Sequence, residues 1–251
     1  MKPLKILVVD DSRSSRMMIK SCIRDSGVPV EEVQEAEDGE VALAKAQATS
    51  FDLILMDIHM PKMDGYQATS RIRIWHQRNH KPRVPIIALT AMDQKQAVEK
   101  TKAAGFTMYL GKPLKQAAFA EAIRMVTSCG PLDEIPMTVE APKESSGLFR
   151  RLLGSGNGAA DLEQASLRDQ RSAFIAEKRR EVTEAIKALD QGDISMVNLL
   201  AYRLKGEGAN FGFSKVSEFG GELANAVATI DLRGARKVVQ LLGQYLEEQA
   251  V

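Results

Sequence analysis

Four places in the first half of the chain carry residues that could do chemistry, and each lies where an apolar run stops. Asp10 and Asp11 follow ILVV, Asp57 follows LILM, Thr90 follows VPIIAL, and Lys112 comes just after FTMYL. Taken singly, each has a plain structural role. Asp11 with Ser12 could cap a helix, Asp57 could sit in a turn, Thr90 could be another cap, and Lys112 could be solvated. Brought to one edge, they become three carboxylates, a hydroxyl and an ammonium. Three carboxylates held together repel, which invites a hard divalent cation, and Mg2+ favours oxygen ligands while keeping some of its waters. The ammonium opposite them can neutralise one further anion. That equipment suits phosphoryl transfer, where catalysis is positioning and charge stabilisation.

A parallel sheet would bring them to one edge. Short aliphatic runs at 6–9, 53–56, 84–89 and 106–110, with a weaker one over 29–35, alternate with helical periodicity over 14–26, 38–48, 65–78, 94–104 and 114–127. Buried strands alternating with amphipathic helices predict an α/β fold, a doubly wound five-stranded parallel sheet. Functional groups in such sheets gather at the carboxyl ends of the strands. After Ser128 the composition turns rich in Pro, Gly and Ser, so 129–168 reads as a linker in which LFRRLL (148–153) could form a short helix. The GSGNGAA stretch has no strand before it and reads as spacer rather than phosphate cradle. Beyond it the pattern is helical throughout, near 171–189, 195–210, 214–229 and 232–249. GDIS and DLRG supply short connections with Asp193 and Asp231 at cap positions. The expectation is an all-α antiparallel four-helix bundle over 169–251, behind a first domain over 1–128.

The chain has 251 residues, a formal net charge of +1 and 44% hydrophobic residues, ordinary values for a soluble two-domain protein. No basic surplus or helix-turn-helix pattern speaks for nucleic acid, and no apolar run approaches a membrane span. The two cysteines, Cys22 and Cys129, fit no metal spacing or disulfide framework, and a cytoplasmic location is expected.

Residues 4 to about 127 resemble the response-regulator receiver domain. The likeness rests on VVDDS, FDLILMD, AEDGEVAL, MPKMDG (60–65), ALTA (88–91) and GKP (111–113). It implies a flavodoxin-like fold in which Asp57 accepts a phosphoryl group from a phosphohistidine donor such as a histidine kinase. It further implies that Asp11, Asp57 and the backbone carbonyl of His59 hold Mg2+, with Asp10 acting through water. Thr90 and Lys112 would contact phosphoryl oxygens, and Thr90 would couple to Tyr109 in a switch. The Lys112-Pro113 bond is expected to be cis. Activity beyond receiver autophosphorylation and autodephosphorylation is not implied. His59 and Met92 stand at positions that tune phosphate lifetime, with His59 partly exposed and used through its backbone rather than as a base. His76 and His80, in WHQRNHKPR, read as solvated surface.

Residues 171–249 resemble the histidine phosphotransfer (HPt) domain of phosphorelays, whose motif is His-x-x-Lys-Gly on one helix. In LLAYRLKGEGANFG, Lys205 and Gly206 are present, but the histidine position holds Tyr202. All three histidines lie in the first 80 residues. A phenol, with a reference pKa near 10, is a poor nucleophile at neutral pH, and its phosphate ester would not pass the group on. The resemblance therefore implies a pseudo-HPt domain that keeps a docking face (Asn198, Tyr202, Lys205, Gly206) without the relay chemistry. Glu207 would add negative charge near a partner's approach. The expected partner is a histidine kinase, another receiver, or the chain's own receiver. The alternative is an aspartyl-phosphate phosphatase in which Asn198 orients water.

Overall fold

The computed structural model describes residues 2–91, 94–128, 136–137 and 157–249. Met92, Cys129 and the short helix expected over 148–153 lie outside them. Five parallel strands form one sheet in the order β2-β1-β3-β4-β5: β1 Leu4–Val9, β2 Val30–Ala36, β3 Leu53–Asp57, β4 Ile86–Thr90 and β5 Met108–Gly111. β3 and β4 are buried along their whole length, which is why they read as unbroken apolar runs. β2, VEEVQEA, is an edge strand that keeps two adjacent glutamates in solvent, so its sequence signal was the weakest.

Helices cover both faces. α1 (Arg13–Asp25) and α5 (Gln116–Ser128) pack one side through Ile19, Ile23, Phe119 and Ile123. α2 (Gly39–Ala48), α3 (Gly65–Arg78) and α4 (Gln94–Ala104) cover the other, with Ala42, Ala68 and Ile72 buried beneath them. Ser12, Asp38 and Asp64 cap α1, α2 and α3 with their side chains. Chain order reverses at β1, between its neighbours β2 and β3, so the crevice of such a sheet opens beside Asp10, Asp11 and Asp57. His76 is buried rather than solvated, because it stands one helical turn beyond Ile72 on the inward face of α3; His80 is exposed.

The second half is helical: α6 (Asn157–Gln191), α7 (Ile194–Glu207), a 3-10 turn over Gly208–Phe211, α8 (Ser214–Ala228) and α9 (Leu232–Glu248). α6 starts inside the stretch expected to be linker. The glycine-rich signal ends at Gly158, and the residues after it hold no proline and many strong helix formers. Phe174, Leu200, Leu204, Val216, Leu223, Val239 and Leu242 fill the space between these helices, and the Phe174 and Phe211 rings stack at 4.4 Å.

The sequence left open whether the halves touch. They do: buried residues of α1 and α5 and those of α6 to α9 belong to one continuous apolar cluster.

Candidate functional site

At the carboxyl edge of the sheet the residues expected to do chemistry come together. Ser12 donates its backbone N–H to Asp10 Oδ1 at 2.9 Å. The Lys112 ammonium lies 2.9 Å from Asp10 Oδ2 and 3.1 Å from Asp57 Oδ1. The Lys112–Pro113 peptide is cis. One oxygen from each of Asp10, Asp11 and Asp57 lies within 4.8 Å of the others. Asp11 Oδ1 is buried and has no hydrogen-bond partner among the described residues. An all-oxygen cluster with an unpartnered carboxylate oxygen fits a hard dication such as Mg2+.

Burial pushes the Asp57 carboxyl up, to about 7, with Lys112 opposing and Asp10 and Glu207 adding to the rise. Burial works against the Lys112 ammonium, but Asp10, Asp57 and Glu207 outweigh it and its pKa rises. The acids outnumber the lysine, so the cluster's own charge favours a cation. Thr90 ends β4 and is buried, and Tyr109 on β5 is buried with its backbone N–H on Met137 O at 2.9 Å.

The second half of the site comes from α7. Tyr202 projects into the carboxyl edge: its hydroxyl lies 2.9 Å from Thr90 Oγ1 and accepts the Ala91 N–H at 3.1 Å. Its ring stacks on His59, centroids 3.5 Å apart. The His59 ring, expected to be partly exposed with only its backbone used, is partly buried and makes a contact of its own. Burial holds its pKa down, at about 4, so it is neutral near pH 7. Burial pushes the Tyr202 phenol up to about 12, Thr90 opposing, so it too is neutral.

Gly206, one turn further on, faces the receiver. A Cβ there would come 3.1 Å from Ala91 Cβ and 3.2 Å from Lys112 Cδ. Gly208, the second glycine of the run, serves another purpose: it allows α8 to pack close, at Phe213, Val216 and Ser217. Lys205 and Asn198 are exposed.

Several contacts at this junction were not foreseen. The Arg203 guanidinium pairs with Asp11 through Nη2 and with Glu181 Oε1 through Nη1, the latter at 2.9 Å. Glu207 is buried rather than a repelling surface charge. It takes Ser15 Oγ at 3.0 Å and Ser12 Oγ at 3.4 Å, and pairs with the fully buried Lys178 at 2.7 Å. Glu177 accepts the Ser14 N–H, and Asn210 Oδ1 accepts the Leu114 N–H, both at 2.9 Å. Helical spacing was the available signal, since Arg203 and Glu207 lie four apart, next to the face that carries Tyr202 and Gly206.

Residues 6–124 match the response regulator receiver domain family. The N-terminal half of the chain is a receiver domain, related to those of hybrid histidine kinases and response regulators. The sensor protein GacS of Pseudomonas syringae pv. syringae is 34% identical over 119 residues, 47% of this chain and 13% of that protein. The signal transduction histidine-protein kinase BarA of Escherichia coli is 30% identical over 194 residues, 73% of this chain and 20% of that protein. The chain thus spans about a fifth or less of the length of these relatives. Among solved structures, the receiver domain of the sensor histidine kinase PA1611 from Pseudomonas aeruginosa, with magnesium in its active-site cleft, is 33% identical. It covers 51% of this chain and all of that one, with a TM-score of 0.44. Among the described residues no helix is long and apolar enough to cross a membrane.

Proposed function

We propose that the chain is a two-component response regulator phosphorylated on Asp57, and that a pseudo-HPt domain in the same chain guards that residue. The domain spans 169–251, extended at its front by the start of α6. Lys112 and Thr90 would receive the phosphoryl oxygens. Asp57 would attack phosphorus as the phosphorus–nitrogen bond of a phosphohistidine donor breaks and the imidazole leaves. Mg2+, held by Asp11, Asp57 and the His59 carbonyl with Asp10 behind water, would offset the charge that grows on the transferring group. The donor would be a histidine kinase or another phosphohistidine protein of the cytoplasm. Thr90 and Tyr109 would carry the change to the face made by α4, β5 and α5 as a shift between two states.

The observation that carries the guarding role is the Tyr202 hydroxyl on Thr90 Oγ1 and the Ala91 N–H. Those are the groups a phosphoryl oxygen would use, and Tyr202 stands where a relay domain would present its histidine. Three further points support the pseudo-HPt reading. Tyr202 is neutral and hydrogen-bonded, so it does not act as a nucleophile. Gly206 supplies the close approach that the HPt motif requires. The BarA match, at 194 residues, is too long to be confined to the receiver.

The test separates tethering from chemistry. A protease site placed within 138–156 is cut, and Asp57 is labelled from a small phosphodonor over a dilution series. Labelling that rises on cutting and dilution is expected, because the second half then leaves. Labelling indifferent to both refutes the guard. An Asp57→Ala chain establishes where the label sits.

A further inference from the structure

Arg203 stands beside Tyr202 on α7 but reaches a different part of the site. Its guanidinium is held from two sides, by Asp11 of the receiver and by Glu181 of α6. Its Nε is buried without a partner among the described residues, where the two carboxylates hold the group. Asp11 Oδ2 is taken, while Asp11 Oδ1 has no hydrogen-bond partner among the described residues. A guanidinium is permanently charged and its planar fork matches a carboxylate.

We infer that Arg203 is a built-in surrogate for the divalent cation, so that docking of the helical half and occupation of the Asp10–Asp11–Asp57 cluster by Mg2+ are mutually exclusive. The inference rests on the guarding role just proposed and deepens it. Tyr202 satisfies the phosphoryl-oxygen donors while Arg203 supplies positive charge to the metal carboxylate. Together they give the receiver a state, with no metal and no phosphoryl group, in which Asp10, Asp11 and Asp57 face the two cations Lys112 and Arg203. A dication on Asp11 and a guanidinium on the same carboxylate repel and compete for one small space. Linkage then fixes the sign in both directions: docking weakens Mg2+ binding, and Mg2+ weakens docking by the same factor. Rising occupancy of the cluster expels α7 and exposes Tyr202, Arg203 and Glu207 together.

The test pairs two readouts on the full chain. Calorimetry measures Mg2+ affinity, and amide exchange at Leu114, whose N–H is held by Asn210, reports docking at a distance from the carboxylates. Arg203→Ala should bind Mg2+ about 5–150-fold more tightly than wild type, the usual span of a coupling between sites. Arg203→Lys, which keeps the charge but not the fork, should fall between. In wild type, Mg2+ should speed Leu114 exchange. Slow exchange at saturating Mg2+, with Arg203→Ala and Arg203→Lys both equal to wild type in affinity, overturns the surrogate and leaves the guard standing. Fast Leu114 exchange in the metal-free wild type overturns docking itself, and the surrogate with it. Should Arg203→Ala fail to fold, the Lys variant decides: tighter Mg2+ binding supports the competition and unchanged binding ends it.

Discussion

Replacing Tyr202 by Phe removes one oxygen and leaves the ring against His59. That oxygen accepts the Ala91 N–H at 3.1 Å and shares a hydrogen bond with Thr90 Oγ1 at 2.9 Å. In the docked state the variant leaves a shielded N–H without a partner, which costs about 1–3 kcal/mol; in the undocked state water satisfies it. At ~1.4 kcal/mol the docking constant falls about tenfold. Tyr202→Ala also loses the ring stack, worth a further ~0.5–1.5 kcal/mol beyond its area. If only the undocked receiver is labelled, the rate scales with the undocked population, so each tenfold fall in docking raises the rate about tenfold until docking no longer dominates. Labelling of Asp57 from a small phosphodonor should therefore rank wild type, Tyr202→Phe, Tyr202→Ala, from slowest to fastest. Equal rates in all three would mean that Tyr202 does not restrain Asp57 labelling. Phe as fast as Ala would place the whole effect in the hydrogen bonds and none in the ring.

Three other outcomes are expected. Gly206→Ala should speed Asp57 labelling severalfold, because its Cβ crowds Ala91 and Lys112; α7 itself gains up to ~1 kcal/mol of helix propensity, so the melting curve should not fall. Glu207→Gln strips one of two carboxylates from the buried Lys178 ammonium; a loss of about 2 kcal/mol would lower the melting midpoint by roughly 4–8 °C. The Tyr202 phenol is raised to about 12, so docking favours its neutral form. A raised folded value gives stability that is present below the free value near 10 and lost as pH climbs through 10–12. The difference between wild-type and Tyr202→Phe ultraviolet titrations should show a phenolate that appears near 12, and one appearing near 10 would mean Tyr202 is not docked.

Much of the receiver was legible because its signals are local. β3 and β4 are apolar up to their last residues since both faces are covered; Asp57 and Thr90 end them, and Lys112 follows β5 directly. β2 was faint because an edge strand keeps its glutamates in water. The front of α6 was misread as linker because Gly and Ser before residue 159 masked a good helix former behind them. His76 reads as surface because the residues after it in WHQRNH are polar, while its burial depends on the turn that carries Ile72. The junction was harder. The resemblance to the HPt motif singled out Tyr202 and Gly206, and both meet the receiver. That Glu207 would find Ser12 and Ser15, or that Arg203 would find Asp11, depends on how the surfaces of the two halves meet. No periodicity within either half encodes that meeting.

The proposed guard has the helical half covering Asp57 of its own receiver, and hydrogen exchange at three receiver amides reads that cover: Ser14, Ala91 and Leu114 donate to Glu177, Tyr202 and Asn210. In the metal-free full chain all three should exchange slowly, and Tyr202→Ala should speed them together, since one docking event protects them. Rapid exchange at all three in wild type, or loss of protection at Ala91 alone in the variant, would contradict the account.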